Sequence, residues 1–273
     1  DMKSNICDES IGGRYFTEIL EKYLIQKVVE KYKIDPRTNK RSLLRFKQAC
    51  EKAKKTLSSN PIVMFEVPSL MNDIDVSITI KREEFNELIK NYISKIKFNI
   101  EEAIKDAKIK KEDISYVEIV GGSSRIPLIK DQIKEIIGNE LKMSLDLDEC
   151  FAVGSGYMAA IMSNGFHLSE SLTIKDVLDE KNALKASWED SNSKMICQVF
   201  PQLSPVPTRC RIPLMITKET TVKIYTDACD IAEIKVELDE KEELEKPVKV
   251  SLRFQLTQSS TFNIIEATYQ LPT

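Results

Sequence analysis

Three groups of residues in this chain combine types that can hold a nucleotide. The first is the pair Gly12-Gly13, where successive glycines let the backbone approach a ribose or a phosphate closely. The second is Glu51, Lys54, Lys55 and Ser58, spaced i, i+3, i+4 and i+7, so that one helix presents them as a single stripe. The third is Gly121-Gly122-Ser123-Ser124-Arg125, with Asp148 further along the chain. A carboxylate accepts from a ribose hydroxyl, a guanidinium stacks on a purine face, and a serine bonds the ring edge. Together they could cradle an adenosine. The parts of a phosphoryl-transfer centre are missing: there is no G-x-x-x-x-G-K-[ST], no G-x-G-x-x-G, no G-x-S-x-G and no H-E-x-x-H. His167 is the only histidine, and it falls in what reads as a connector. No catalytic residue and no metal ligand is assigned.

The elements that must position these groups are legible as periodic patterns. Residues 117–120 read as a short buried strand, the glycine pair turns the chain sharply, and Pro127 opens a helix with Ile129, Ile133, Ile136 and Ile137 on its apolar face. Strand, Gly-Gly turn and helix is how α/β folds build a nucleotide site at the carboxyl end of a strand. Leu43, Phe46, Cys50, Ala53 and Leu57 define a second helix. At about 100° per residue, its Glu51 stripe is centred roughly 110° from that apolar face, on the flank of the core. Taken by itself the stripe reads first as a solvated face laced with i,i+3 and i,i+4 ion pairs, with part of a site as the alternative. Phe16, Leu20, Leu24 and Val28 mark a helix running to about Tyr32. Residues 62–67 and 76–80 read as strands joined by a turn at 71–75, and residues 81–106 as a long helix. Asp148 is an N-cap candidate for a helix over residues 151–162, whose Ala and Gly residues predict close packing against a sheet.

Composition narrows the class. Hydrophobic residues are 42% and charged residues 30% of the 273, a globular composition with length for one large domain or two ordinary ones. A net charge of -3 argues against an electrostatic nucleic-acid binder. No apolar run reaches the ~20 residues that span a bilayer, and no signal peptide opens the chain, so no membrane role is expected. Six cysteines without a C-x-x-C pair predict reduced, mostly buried thiols and a cytoplasmic location. The chain opens on Asp1, as an excised piece of a longer protein would.

Around residues 163–191 the helical periodicity stops, which places the boundaries at 1–165, a connector over 166–190, and 191–273. The last part carries short β-rich runs at 195–200, 212–216, 221–225, 231–238, 248–256 and 261–269. Val248, Val250, Leu252, Phe254 and Leu256 alternate with polar residues, as half-buried antiparallel strands do, and six such runs predict a sandwich. Residues 237–246 read as a solvated acidic hairpin tip. Pro201, Pro205, Pro207 and Pro213 should confine their segments to edges and loops.

Val120-Gly-Gly-Ser-Ser-Arg-Ile-Pro127, Ala49-Cys-Glu-Lys-Ala-Lys-Lys-Thr-Leu-Ser58, Ile11-Gly-Gly-Arg-Tyr-Phe16 and Asp148-Glu149 resemble the seventy-kilodalton heat-shock chaperones, in the same order and at similar spacing. Met71-Asn-Asp-Ile-Asp-Val-Ser77 and Lys110-Lys-Glu-Asp-Ile-Ser-Tyr-Val-Glu-Ile-Val120 are closer to the large, one-hundred-and-ten-kilodalton branch. The resemblance implies an α/β lobe of an actin-like ATPase (subdomains IIA and IIB) followed by an antiparallel β-sandwich substrate domain. It implies ATP or ADP as cofactor, with Gly12, Gly13, Glu51, Lys54, Lys55, Ser58, Gly121, Gly122, Ser123, Arg125 and Asp148 around the adenosine. The family's first lobe, with its phosphate loops, catalytic lysine and magnesium-positioning acids, has no counterpart here. The chain alone is therefore expected to be inactive as an ATPase.

The implied partners are a smaller chaperone of the same superfamily, toward which the large branch acts as nucleotide-exchange factor, and unfolded polypeptide. Lys55 stands where the family commonly has Arg, Phe151 where it has a small residue, and the apolar linker is reduced to Val177-Leu178. Two other readings stay open: a nucleotide-independent peptide-binding module, and an actin-fold small-molecule kinase, which the β-rich tail argues against.

Overall fold

A computed structural model describes residues 2–138, 140–163, 165–166, 174–179, 182–190, 193–237 and 247–270. They form two packed units, Asp8–Glu170 and Ser171–Thr273 with Asp1–Cys7.

In the first unit, α1 (Gly13–Tyr32) buries Phe16, Leu20, Leu24 and Val28, and α2 (Lys40–Ser59) buries Phe46, Cys50, Ala53 and Leu57. The basic connector between them contains a 3-10 turn, Pro36–Thr38. Asn39 caps α2, its side-chain oxygen accepting from the Arg41 and Ser42 amides. The hairpin β1 (Ile62–Met71) and β2 (Ile74–Lys81) is longer than the apolar runs alone indicate. It closes through positive-φ Asn72 and Asp73, residue types that tolerate the left-handed region. Then α3 (Arg82–Asp106) packs Phe85, Ile89 and Ile93 inward. One hydrophobic cluster joins these elements and reaches Ile126 and Ile129. Phe46 meets Phe65 edge to face at 4.9 Å, tying α2 to the hairpin.

The remainder of this unit is sparser. The strand expected over residues 117–120 is two residues long, β3 (Val117–Glu118), and Val120 is exposed. It pairs in parallel with β4 (Leu141–Lys142) through α4 (Pro127–Ile137), a small β-α-β unit whose helix ends on Gly138 at φ 78°. Two expectations fail at α5 (Cys150–Met162). Asp148 is not its cap; Asp146 accepts from the Asp148 and Glu149 amides at 2.8 Å each and supports the start of the helix instead. Nor does α5 pack tightly: none of its residues is buried, and a Cβ at Gly154 or Gly156 would meet nothing within 4 Å.

The second unit is a sandwich of two antiparallel sheets, consistent with the predicted class. Strands run β11-β10-β6-β7 in one sheet and β13-β12-β9 in the other. Here β6 is Leu184–Asp190, β7 Ser193–Phe200, β9 Thr208–Ile216, β10 Thr220–Tyr225, β11 Asp230–Val236, β12 Val248–Leu256 and β13 Phe262–Gln270. A two-residue pair, β5 (Asp176–Val177) with β8 (Pro205–Val206), flanks them. The alternating residues of β12 face inward as expected, where Phe254 stacks on Phe262 at 5.2 Å.

Three readings need correction. β6 lies inside the stretch taken for a connector, yet it is an inner strand carrying buried Ala186 and Trp188. Charged and hydroxyl residues between its apolar ones hid its period. β11 and β12, the strands on either side of the expected hairpin tip at 237–246, belong to different sheets; residues 238–246, like His167, lie outside the described residues. All six cysteines are free, but only Cys50 is buried. Pro213 does sit in an edge strand, β9, and Val206-Pro207 is cis.

Candidate functional site

The three sequence clusters meet. Gly13, Glu51, Lys54, Lys55, Ser58, Gly122, Ser123 and Arg125 line one open cleft of about 540 Å³ in the first unit. Its walls are the start of α1, the last turns of α2, and the 3-10 turn Gly122–Arg125 that leads into α4. Gly12, Gly121 and Asp148 do not line it, though each supports a residue that does. Sequence reasoning missed Arg14, Ser59 and Ile126, which complete the lining. They adjoin singled-out residues, and adjacency was the one available signal.

Each wall has a local cause. Gly121 sits at φ 89°, ψ 150°, a conformation essentially confined to glycine. The turn after it is closed by Ser124, whose hydroxyl donates to the Gly121 carbonyl at 2.6 Å. Gly13 is required for a different reason: a Cβ there would stand 2.8 Å from Ser123 Oγ and 3.3 Å from Lys54 Nζ. Gly12 has an extended backbone, φ 164°, and caps α1 without a side chain.

The floor is a buried polar network. Lys54 is 8% exposed, and its ammonium donates to the Gly13 carbonyl at 2.9 Å, to Thr17 Oγ1 at 2.9 Å and to Glu51 Oε2 at 2.7 Å. Thr17, which the sequence reading passed over, lies 2.5 Å from Glu51 Oε2 and couples α1 to α2. Burial alone would raise the Glu51 carboxyl, but hydrogen bonds from Lys54 and Thr17 and the nearby ammonium charges leave it below its usual range. Glu51 is thus ionised, and the Lys54 side chain holds it in place. Glu51 keeps partial exposure toward the cleft, where a carboxylate accepts from hydroxyl donors.

At the mouth, Arg125 forms a bidentate pair with Asp148, Nη1 to Oδ1 at 3.0 Å and Nη2 to Oδ2 at 2.7 Å. The hydrogen bonds from Arg125 hold the Asp148 carboxyl below its usual range, and Lys55 is near enough to lower it further. Arg125, Lys55 and Arg14 therefore bring cationic side chains to one opening, whose lining also includes Ser58 and Ile126. Such an opening suits a flat, electron-rich ring with hydroxyls beneath it. Among the described residues no group of metal-ligating side chains is found.

The comparisons agree with the motif reading. The sequence pattern of the HSP70 family ("Hsp70 protein") matches residues 1–253. The chain is 37% identical over 188 residues to heat shock protein hsp88 of Neurospora crassa, covering 69% of this chain and 26% of that protein. It is 36% identical over 201 residues to heat shock 70 kDa protein 4 of Rattus norvegicus, covering 73% and 24%. With a heat shock protein homolog of Saccharomyces cerevisiae it shares 34% over 223 residues, covering 81% and 32%. The chain thus matches 24% to 32% of the length of these relatives. Matched along most of its length by the family pattern and by these relatives, the chain belongs to the Hsp70 family.

Proposed function

We propose that the cleft takes the adenosine part of ATP or ADP. In this reading residues 1–165 are the second lobe, subdomains IIA and IIB, of an actin-like nucleotide-binding domain. A sandwich that takes in β6 from the end of the 166–190 stretch is its substrate domain. What supports the reading is the convergence of three segments far apart in sequence on one cleft with a polar floor and a cationic rim. Arg125 and Lys55 would flank the purine, Ser58 its edge, and Glu51 the ribose hydroxyls. Asp148 would fix the Arg125 plane. Phosphates and magnesium would require groups beyond these.

The relatives carry heat shock names. The parent function that follows is a chaperone of the large branch, cytoplasmic, exchanging nucleotide on a smaller relative and holding unfolded polypeptide. The independently packed sandwich keeps a second reading, a peptide-binding module needing no nucleotide.

Calorimetric titration of ATP, ADP and adenosine into a protein joining this chain to a first lobe tests the site. Arg125→Ala and Glu51→Ala should each weaken affinity about tenfold; unchanged affinity would sink the adenosine assignment. The 273-residue chain alone should bind weakly and turn over no ATP. Release of ADP from a smaller relative and suppression of luciferase aggregation test exchange and holding.

A further inference from the structure

The polar floor of the cleft has a member that stands outside its lining. Thr17 is half-buried in α1 and does not line the cleft, yet its hydroxyl sits at the centre of the network. The Lys54 ammonium carries three hydrogens, and each has an acceptor: the Gly13 carbonyl, Glu51 Oε2 and Thr17 Oγ1. Thr17 Oγ1 therefore accepts from Lys54 and has one hydrogen of its own to give. Two acceptors are within its reach, the Gly13 carbonyl at 2.9 Å and Glu51 Oε2 at 2.5 Å. The carboxylate is both nearer and charged, so it takes the hydrogen.

The consequence falls on Glu51. Its Oε2 is occupied from inside by Lys54, one turn along α2, and by Thr17 from the neighbouring helix. Its Oε1 is paired only with the exposed Lys55 ammonium at 3.8 Å, too long for a hydrogen bond. Two bonds from different helices fix the rotamer and the plane of the carboxylate. A glutamate left free samples several rotamers, and a ligand that must select one binds more weakly. One oxygen is thus tied down, and the other is left as an acceptor.

We infer that Thr17 is a positioning residue for the ribose: its hydroxyl ties down Glu51 Oε2 so that Oε1 meets the ribose hydroxyls, which favours ribonucleotides over their deoxy forms. This rests on the adenosine reading of the cleft and extends it to a side chain that the nucleotide does not touch.

Thr17→Val keeps the β-branched shape in the helix. It leaves Lys54 with two acceptors and Glu51 with the Lys54 bond, so the fold should survive. In the 273-residue chain itself, the Glu51 carboxyl followed by carbon NMR should titrate at higher pH in Thr17→Val than in the wild type, and Thr17→Ser should restore it. In the protein joining this chain to a first lobe, Thr17→Val should bind ADP about fivefold more weakly and Thr17→Ser should recover most of the loss. The ADP analogue lacking both ribose hydroxyls should bind the wild type and Thr17→Val equally. A general loosening of α1 against α2 would weaken both ligands alike, and that result overturns the inference, as does an unmoved Glu51 titration. Glu51→Ala separates the two levels of the argument. If it weakens ADP while Thr17→Val does not, the role of Thr17 falls alone; if it leaves ADP affinity unchanged, the adenosine assignment falls and this inference with it.

Discussion

Helices α2 and α5 lie in one unit, and their apolar residues meet opposite fates. In α2 the apolar residues occupy one stripe and charged residues surround them; Phe46 and Cys50 are fully buried between α1 and the hairpin. In α5 the apolar residues go all round, with Ser155 as the only polar side chain besides Tyr157, and Phe151 is 64% exposed. A one-sided stripe specifies both a helix and the direction of its core, whereas an all-round apolar helix specifies no direction. Its burial depends on which surfaces reach it. Among the described residues none covers it fully: Met158, Ala160 and Ile161 are half-buried and the rest of the apolar face stays exposed.

The largest test of this contrast is a pair of truncations. Phe46→Ala should destabilise the unit by about 3–5 kcal/mol, as deletion of a buried aromatic does. Phe151→Ala should stay within about 0.5 kcal/mol, as substitutions of exposed residues do. Denaturant melts of both would measure the contrast, and a comparable loss at Phe151 would break it.

Acid titration probes the packed half through Glu84. Hydrogen bonds from Tyr23 first, then from the Lys81 amide and Lys27, bring its carboxyl down to about 2. A depressed folded-state value means that the stability it contributes is present above its ordinary 4.5 and is lost as pH falls toward about 2. Wild-type melting temperature should therefore fall over that window more steeply than that of Glu84→Gln. Parallel curves would remove Glu84 from the clamp between α1 and α3.

Gly121→Ala places a side chain at φ 89° and should lower stability by about 1–3 kcal/mol. It should weaken nucleotide binding with it, because the 3-10 turn that carries Ser123 and Arg125 starts there. The smallest expected effect has the opposite sign. Gly154→Ala and Gly156→Ala add methyl groups into open space on α5, and each should stabilise the helix by about 0.5–1 kcal/mol. A loss there would mean that α5 is packed after all, and amide exchange should report the same difference as faster exchange along α5 than along α2.

Much of the candidate site was legible because its signals are local. Gly-Gly turns, an i, i+3, i+4, i+7 stripe and a proline-started helix depend on neighbours within one element. The Lys54 side chain shows where that stops. Its type and spacing allowed a solvated lysine, and only the approach of Gly13 and Thr17 makes it a buried ammonium with three acceptors. Asp148 was picked out as a cap because Asp at a helix start usually is one; a partner 23 residues away claimed it instead. β6 was hidden because its outer face is charged while its inner face alternates too briefly to register.

By itself, then, the sequence determined the long helices and most of the longer strands, which faces of α1, α2 and β12 turn inward, and where the Gly-Gly turns fall. These follow from periodicity and backbone sterics, which act within a few residues. Tertiary structure decided which polar groups are ionised and buried, which carboxylate Arg125 meets, how the strands are dealt between two sheets, and that α5 lies bare. Those depend on contacts between residues tens of positions apart, where the free energy of a group is set by what happens to surround it.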